Sequence, residues 1–147
     1  MFPLVSPKQS FPALEVFDEW NEEKKNIQQK DIHGIYINPR DIWYVKMGVN
    51  IGNETNWKTE FIRPVLVFKR VGNLLFIAPL TTKGKESNFY HLLSTIKYLD
   101  TQYAREVSHV ELSQSRVIDR KRFLDKVGTI ESAEFWDIKN KLIKLLL

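Results

Sequence analysis

The sequence predicts an α+β fold that is mostly β: a small, strongly curved antiparallel sheet or barrel with a helix at each end. Three observations carry this. Short apolar runs bounded by turn residues recur through the middle of the chain, and five of them read as strands. The pair Gly72-Asn73 separates "PVLVFKRV" from "LLFIAPL", which is the signal of a two-residue hairpin. Helical apolar spacing appears mainly near the two ends of the chain. With 147 residues, 43% hydrophobic and 12% aromatic, the chain has material for one domain and an appendage.

The elements follow in order. Residues 1–12 carry Pro3, Pro7 and Pro12 and read as irregular. From Leu14 to Lys30, Val16, Phe17, Trp20, Lys24 and Ile27 fall near one side at helical spacing, and the other side is charged. This defines an extension over 1–38 with one amphipathic helix. Its Trp20 stripe reads as packing on the rest of the protein, with a separate binding role as the alternative. The main domain is 39–147. "DIWYVKMGV" reads as a strand and "NIGNETNWKTEFIR" as a loop. "LLFIAPL" is almost continuously apolar, so it is expected to be buried on both faces. "SNFYHLLS" and "HVELSQSRVID" supply two more strands, and the stretch between them is ambiguous. "RKRFLDKV" reads as a short helix stopped by Gly128. In the last segment Phe135, Ile138, Leu142, Leu145 and Leu146 share one helical face.

Composition narrows the function classes. The chain has no cysteine, which removes disulfides, thiol chemistry and Cys-based zinc sites and fits a cytoplasmic location. No apolar run approaches bilayer length, and the opening stretch lacks the basic-then-apolar order of a signal peptide, so no membrane partner is expected. A net charge of +4 favours polyanionic partners. His33, His91 and His109 show no metal-ligand spacing, so no metal is expected. Phosphate-binding glycine loops and the GxSxG elbow are absent, and no cofactor is implied.

Two features carry chemistry. Arg63 precedes Pro64, which forces it into extended geometry and makes it project from a strand start. Its planar fork suits a phosphate, although pairing with Glu54 or Glu60 on the surface is the plainer alternative. Thr81 and Thr82 follow Pro79, which reads as the end of the ladder; their hydroxyls can bond a phosphate oxygen or cap a turn. Arg63 lies nine residues before Gly72 and Thr81 eight after Asn73, so the hairpin brings them to one rim of the sheet. A cation beside a hydroxyl there makes an oxyanion site. In "VELSQSR", strand alternation puts Glu111 and Ser113 on one face and Gln114 and Arg116 on the other. Polar residues on both faces point to a ligand-facing strand or a subunit interface.

The ordered run "DIWYVKMGVNIGNE…RPVLVFKR…LFIAPLTTK…LSQSRVIDRKRFLDKVG" resembles the PemK/MazF family of toxin–antitoxin ribonucleases over about Asn38 to Leu147. The resemblance implies a small SH3-like barrel that homodimerises, with a cognate antitoxin as partner. It implies metal-independent cleavage of single-stranded RNA, in which the ribose 2′-hydroxyl attacks the phosphate to leave a 2′,3′-cyclic phosphate and a 5′-hydroxyl. On it Arg63 stabilises the phosphate charge and can protonate the leaving oxygen, and Thr81 holds a phosphate oxygen. Glu54 matches the family's loop glutamate. Asn53, Trp57, Lys58, Thr82, Lys83, Ser113, Gln114 and Arg116 join it as RNA-binding residues. The sequence departs from the pattern at "ETNW", where Thr55 and Trp57 stand for a Gln and a Gly. It departs again at Ser113, where an acidic residue is usual, and Glu111, two residues back, is the substitute base. Trp57 and Tyr90 are candidates for base stacking. The alternative is a non-cleaving binding protein on the same barrel, either a gyrase-inhibitor-like toxin or an inactive RNA- or antitoxin-binding relative. Apolar Leu145 to Leu147 and nearby Trp136 would suit the former.

Overall fold

The computed structural model describes residues 18–20, 22, 24, 36–47, 62–100 and 108–147. The strands are β1 (Asp41–Lys46), β2 (Ile62–Val71), β3 (Leu74–Thr81), β4 (Tyr90–Leu92), β5 (Lys97–Tyr98), β6 (His109–Glu111), β7 (Arg116–Asp119) and β8 (Phe123–Thr129). The helix Ser132–Leu146 closes the chain. Neighbouring strands run β4-β6-β3-β2-β1-β8-β5, with β7 also paired to β3. The pairing is antiparallel throughout. The predicted mostly-β sheet with a C-terminal helix is present, and its strand path is open, ending at β4 and β5, rather than closed as a barrel.

Irregularities in register curve the sheet. Val71 pairs with Leu74 across the Gly72-Asn73 turn, and Gly72 has the positive φ of 62° that such a turn requires. The register then shifts between Val67 and Lys69, which leaves Phe68 as an extra residue in β2. Two more shifts interrupt β1 against β8. Bulges of this kind bend a strand and increase its twist.

Strand alternation builds an apolar layer on each face. Ile42, Leu66, Ala78, Leu80 and Val110 pack with Phe135, Ile138 and Leu142 of the helix. Trp43, Val45, Val65, Val67, Leu75, Ile77, Ile118 and Phe123 form the second layer. β3 contributes to both, as the continuous run in "LLFIAPL" predicts. On the helix, Phe135, Ile138 and Leu142 are buried and Leu145 packs against the same layer, but Leu146 is 69% exposed.

Glu134 fastens the helix. Its carboxylate is buried and accepts hydrogen bonds from the backbone N–H and hydroxyl of Ser94 and of Thr95. His91 Nε2 lies 3.0 Å from it, and Lys141 Nζ donates to His91 Nδ1 at 2.8 Å. Burial by itself would raise the Glu134 carboxyl, but the bonds from Thr95, His91 and Ser94 outweigh it and hold the group below the usual range.

Four readings of the chain are corrected. "RKRFLDKV" is not a helix: a short 3-10 turn, Arg120–Arg122, leads into β8, which gains a ladder with β1. Gly128 is therefore not a helix stop but a point of close approach, where an added Cβ would collide with the Lys97 carbonyl oxygen. Pro79 does not end its ladder: it pairs with Val65, and β3 continues to Thr81. "HVELSQSRVID" is two strands separated by a 3-10 turn, Leu112–Gln114. Both strands lie along the same edge of β3, and the jog falls opposite Ala78 and Pro79. A proline there offers no N–H to a partner strand.

In the N-terminal extension, residues 18–20, 22 and 24 are helical. Trp20 is buried, with the Arg122 guanidinium 5.3 Å from its ring centre, so this part of the predicted stripe packs on the domain. Val16, Phe17 and Ile27 lie outside the described residues.

Candidate active site at the rim of the sheet

β1, β2, β3, β6 and β4 lie side by side, and their ends make a rim. Val45 pairs with Arg63, Thr81 with His109, and His109 with Leu92. Val65 pairs with Pro79, and two further residues at that register set Arg63 opposite Thr81. Residues directly opposite each other share a face. Arg63 and Thr81 are thus neighbours on the face of the Val45 and Val65 layer, as the sequence predicted.

The Arg63 side chain is anchored from one nitrogen. Nη2 donates to the Leu80 carbonyl at 3.0 Å and to Glu111 Oε1 at 3.0 Å. Both side chains of this ion pair are mostly buried, at 18% and 17% exposure. Nε and Nη1 make no hydrogen bond among the described residues, and they are the donors left for an incoming anion. The surface pairing with Glu54 or Glu60 lies outside the described residues; the partner seen is Glu111 on β6. Thr81 Oγ1 accepts from the Lys83 N–H at 3.1 Å, which shapes the loop and leaves its own proton to donate.

Glu111 is committed to Arg63. This mostly buried ion pair holds the guanidinium in place. Ser113 and Gln114 sit in the 3-10 turn, so the strand alternation inferred for them does not apply. Ser113 is exposed, while Arg116 pairs with Ile77 further down the same face. Thr82 and Lys83 are exposed beside Thr81. Arg122 lies near Arg116: burial first, and then the charge of Arg116, lower its pKa, with Asp119 opposing. Its Nη1 reaches the Lys46 and Met47 carbonyls at 3.3 and 3.5 Å. Arg116 and Arg122 thus place two guanidinium groups near each other, with Asp119 close by. Asn53, Glu54, Trp57 and Lys58 lie outside the described residues. Sequence reasoning overlooked His109, which pairs with Thr81. The signal was its place two residues before Glu111 in an alternating strand.

A family model described as PemK-like, MazF-like toxin of type II toxin–antitoxin systems matches residues 38–146. The chain belongs to the PemK/MazF toxin family. Comparison with curated proteins finds no match. Solved structures share the fold. MazF from Deinococcus radiodurans is 20% identical with a TM-score of 0.54, covering 76% of this chain and 98% of that one. The Mycobacterium tuberculosis toxin MazF-mt6 is 14% identical with a TM-score of 0.53, covering 71% and 94%. A mycobacterial endoribonuclease in complex with its cognate antitoxin is 13% identical with a TM-score of 0.52, covering 76% and 95%. The PemK/MazF match begins at residue 38, so Trp20 and its helix lie outside it.

Proposed function

We propose that this PemK/MazF protein is an endoribonuclease toxin that cuts single-stranded RNA without a metal. The carrying observation is the tethered Arg63, opposite Thr81, with two nitrogens left to meet a phosphate. The RNA 2′-hydroxyl attacks the adjacent phosphorus, the bond to the 5′-oxygen breaks, and 2′,3′-cyclic phosphate and 5′-hydroxyl ends result. Arg63 stabilises the charge that builds on the phosphoryl oxygens, aimed in advance by Leu80 and Glu111. A guanidinium keeps its protons, so water supplies the one taken by the leaving oxygen. Thr81 donates its hydroxyl proton to a phosphoryl oxygen. Arg116 and Arg122 attract the flanking backbone, and that attraction weakens with salt. In the same reading the toxin works as a cytoplasmic homodimer and is restrained by a cognate antitoxin. The structural relative that is an endoribonuclease bound to its antitoxin supports this reading.

The test is incubation with mixed-sequence single-stranded RNA in excess EDTA, beside Arg63→Ala, with the new termini analysed. Discrete cuts with 5′-hydroxyl ends, lost in the variant, are the expected result. Intact RNA in the presence of folded wild-type protein refutes the proposal and favours the non-cleaving alternative.

A further inference from the structure

We infer that His109 is a catalytic residue of this site: the imidazole that accepts the 2′-hydroxyl proton. This rests on the ribonuclease reading above. The attacking hydroxyl needs a base, and Glu111, the carboxylate seen beside Arg63 among the described residues, is occupied by that guanidinium. His109 stands on the same face. Its Cα partner across β3 is Thr81, and Glu111 follows two residues along the same strand.

Among the described residues, the ring is held by shape and not by hydrogen bonds. Nδ1 is buried and has no hydrogen-bond partner among the described residues. A Cβ added to Gly84 would overlap ring Cγ and stand 2.5 Å from Nδ1, so the glycine backbone lies flush against the imidazole. Tyr90 meets it edge-on, with ring centres 6.4 Å apart. An unsatisfied buried nitrogen is destabilising, a cost that a purely structural residue at this place could avoid. Nε2 makes no hydrogen bond among the described residues either, which leaves it for a substrate proton. Among the described residues, the charged and titratable groups on the elements beside the ring are Tyr90 on β4, Glu111 on β6, Arg63 on β2, and Lys83 and Lys85 flanking Gly84.

In the step, O2′ bonds to phosphorus as its proton passes to Nε2, and the P–O5′ bond breaks. Water protonates the leaving 5′-oxygen, and the imidazolium returns its proton to the hydroxide formed. No oxidant, reductant or second substrate enters. Imidazole suits the task because its charge changes near neutral pH.

The experiment is single-turnover cleavage of RNA by wild type, His109→Gln and Gly84→Ala across about pH 5 to 9, a range that brackets imidazole titration. Binding of a 2′-O-methyl RNA is measured in parallel, since it cannot react. The first variant keeps a polar side chain of similar reach but cannot take the proton. The expected loss in H109Q is about 100- to 10,000-fold in rate at saturating RNA, with the acid limb of the pH profile flattened and binding within about 3-fold. Gly84→Ala, which pushes the ring aside while keeping it, is expected to slow the reaction and leave the acid limb in place. If wild type cleaves and H109Q keeps both rate and acid limb, His109 is not the base, while the ribonuclease reading stands. An effect confined to binding overturns the inference in the same way. If wild type does not cleave, both fall.

Discussion

The contact between Arg63 and Glu111 can be tested quantitatively. Glu111→Gln keeps the size of the side chain and removes its charge. The bond it weakens is charge-assisted, 3.0 Å long and mostly buried, with 18% and 17% of the two side chains exposed. Fully buried pairs lose about 3–5 kcal/mol when one partner is removed, and fully exposed ones about 0–1. A rim pair that also keeps its second anchor, the Leu80 carbonyl, belongs between them, at about 1.5–3 kcal/mol. The assay is denaturant unfolding of wild type, Arg63→Met, Glu111→Gln and the double variant, with coupling of about 1–2 kcal/mol expected. If the ion pair also aims Arg63 at phosphate, Glu111→Gln alone slows cleavage by about 10- to 100-fold, since about 1.4 kcal/mol is a factor of ten. In the reading with His109 as the base, the shape of the pH–rate profile is unchanged in this variant. Coupling below about 0.5 kcal/mol, or full activity in Glu111→Gln, refutes this account of how Arg63 is held.

Three further outcomes follow from the fold. Glu134 has a folded pKa below its ordinary value, so its stabilising effect is present above that ordinary value and is lost as pH falls through the folded one. Glu134→Gln should therefore unfold more easily at neutral pH and show a shallower acid dependence in melts between about pH 2 and 6, the carboxylate range. Gly128→Ala drives a Cβ into a backbone carbonyl, and calorimetry should show a loss of about 1–3 kcal/mol. Trp20→Leu keeps an apolar contact but removes the ring beneath Arg122, a contribution of about 0.5–2 kcal/mol. Limited proteolysis should then cut the extension about 2- to 30-fold faster, and an unchanged rate would show that the ring contact does not hold it.

Much of this was legible from local chemistry. Gly72-Asn73 announces its hairpin because few residues accept a positive φ, and "LLFIAPL" announces burial on two faces because it has no polar side chain. Counting outward from that turn brings Arg63 and Thr81 to one rim, but the exact partner waits on the bulge at Phe68. What stayed hidden depends on long-range partners. Nothing local distinguishes "RKRFLDKV" from a helix; β1, some eighty residues earlier in the chain, makes Phe123 to Thr129 a strand. The jog at Leu112–Gln114 likewise answers to Pro79 on another strand. The ion pair of Glu111 with Arg63 is equally hidden, because it joins residues 48 positions apart. His109 was set aside because histidines were weighed as metal ligands, a test of spacing, when its significance lies in what stands across the ladder.

The bulge at Phe68 links the core to the chemistry. Counted from the turn without a bulge, Val71 opposite Leu74 would carry Arg63 opposite Thr82, which lies beyond the strand and is exposed. The extra residue moves the register by one, and Thr81 becomes the partner. A one-residue slip in a strand also moves every side chain to the other face, so the same shift decides whether Arg63 points to the rim shared with Glu111 or toward the helix-covered layer. Phe68 itself is buried against Phe76 and Phe135, with ring centres 5.5 and 6.3 Å away. Packing of the C-terminal helix therefore stabilises the bulge, and the bulge sets which hydroxyl faces the cation. If the chain is the ribonuclease proposed above, changes at Phe135 act on cleavage through register rather than through contact.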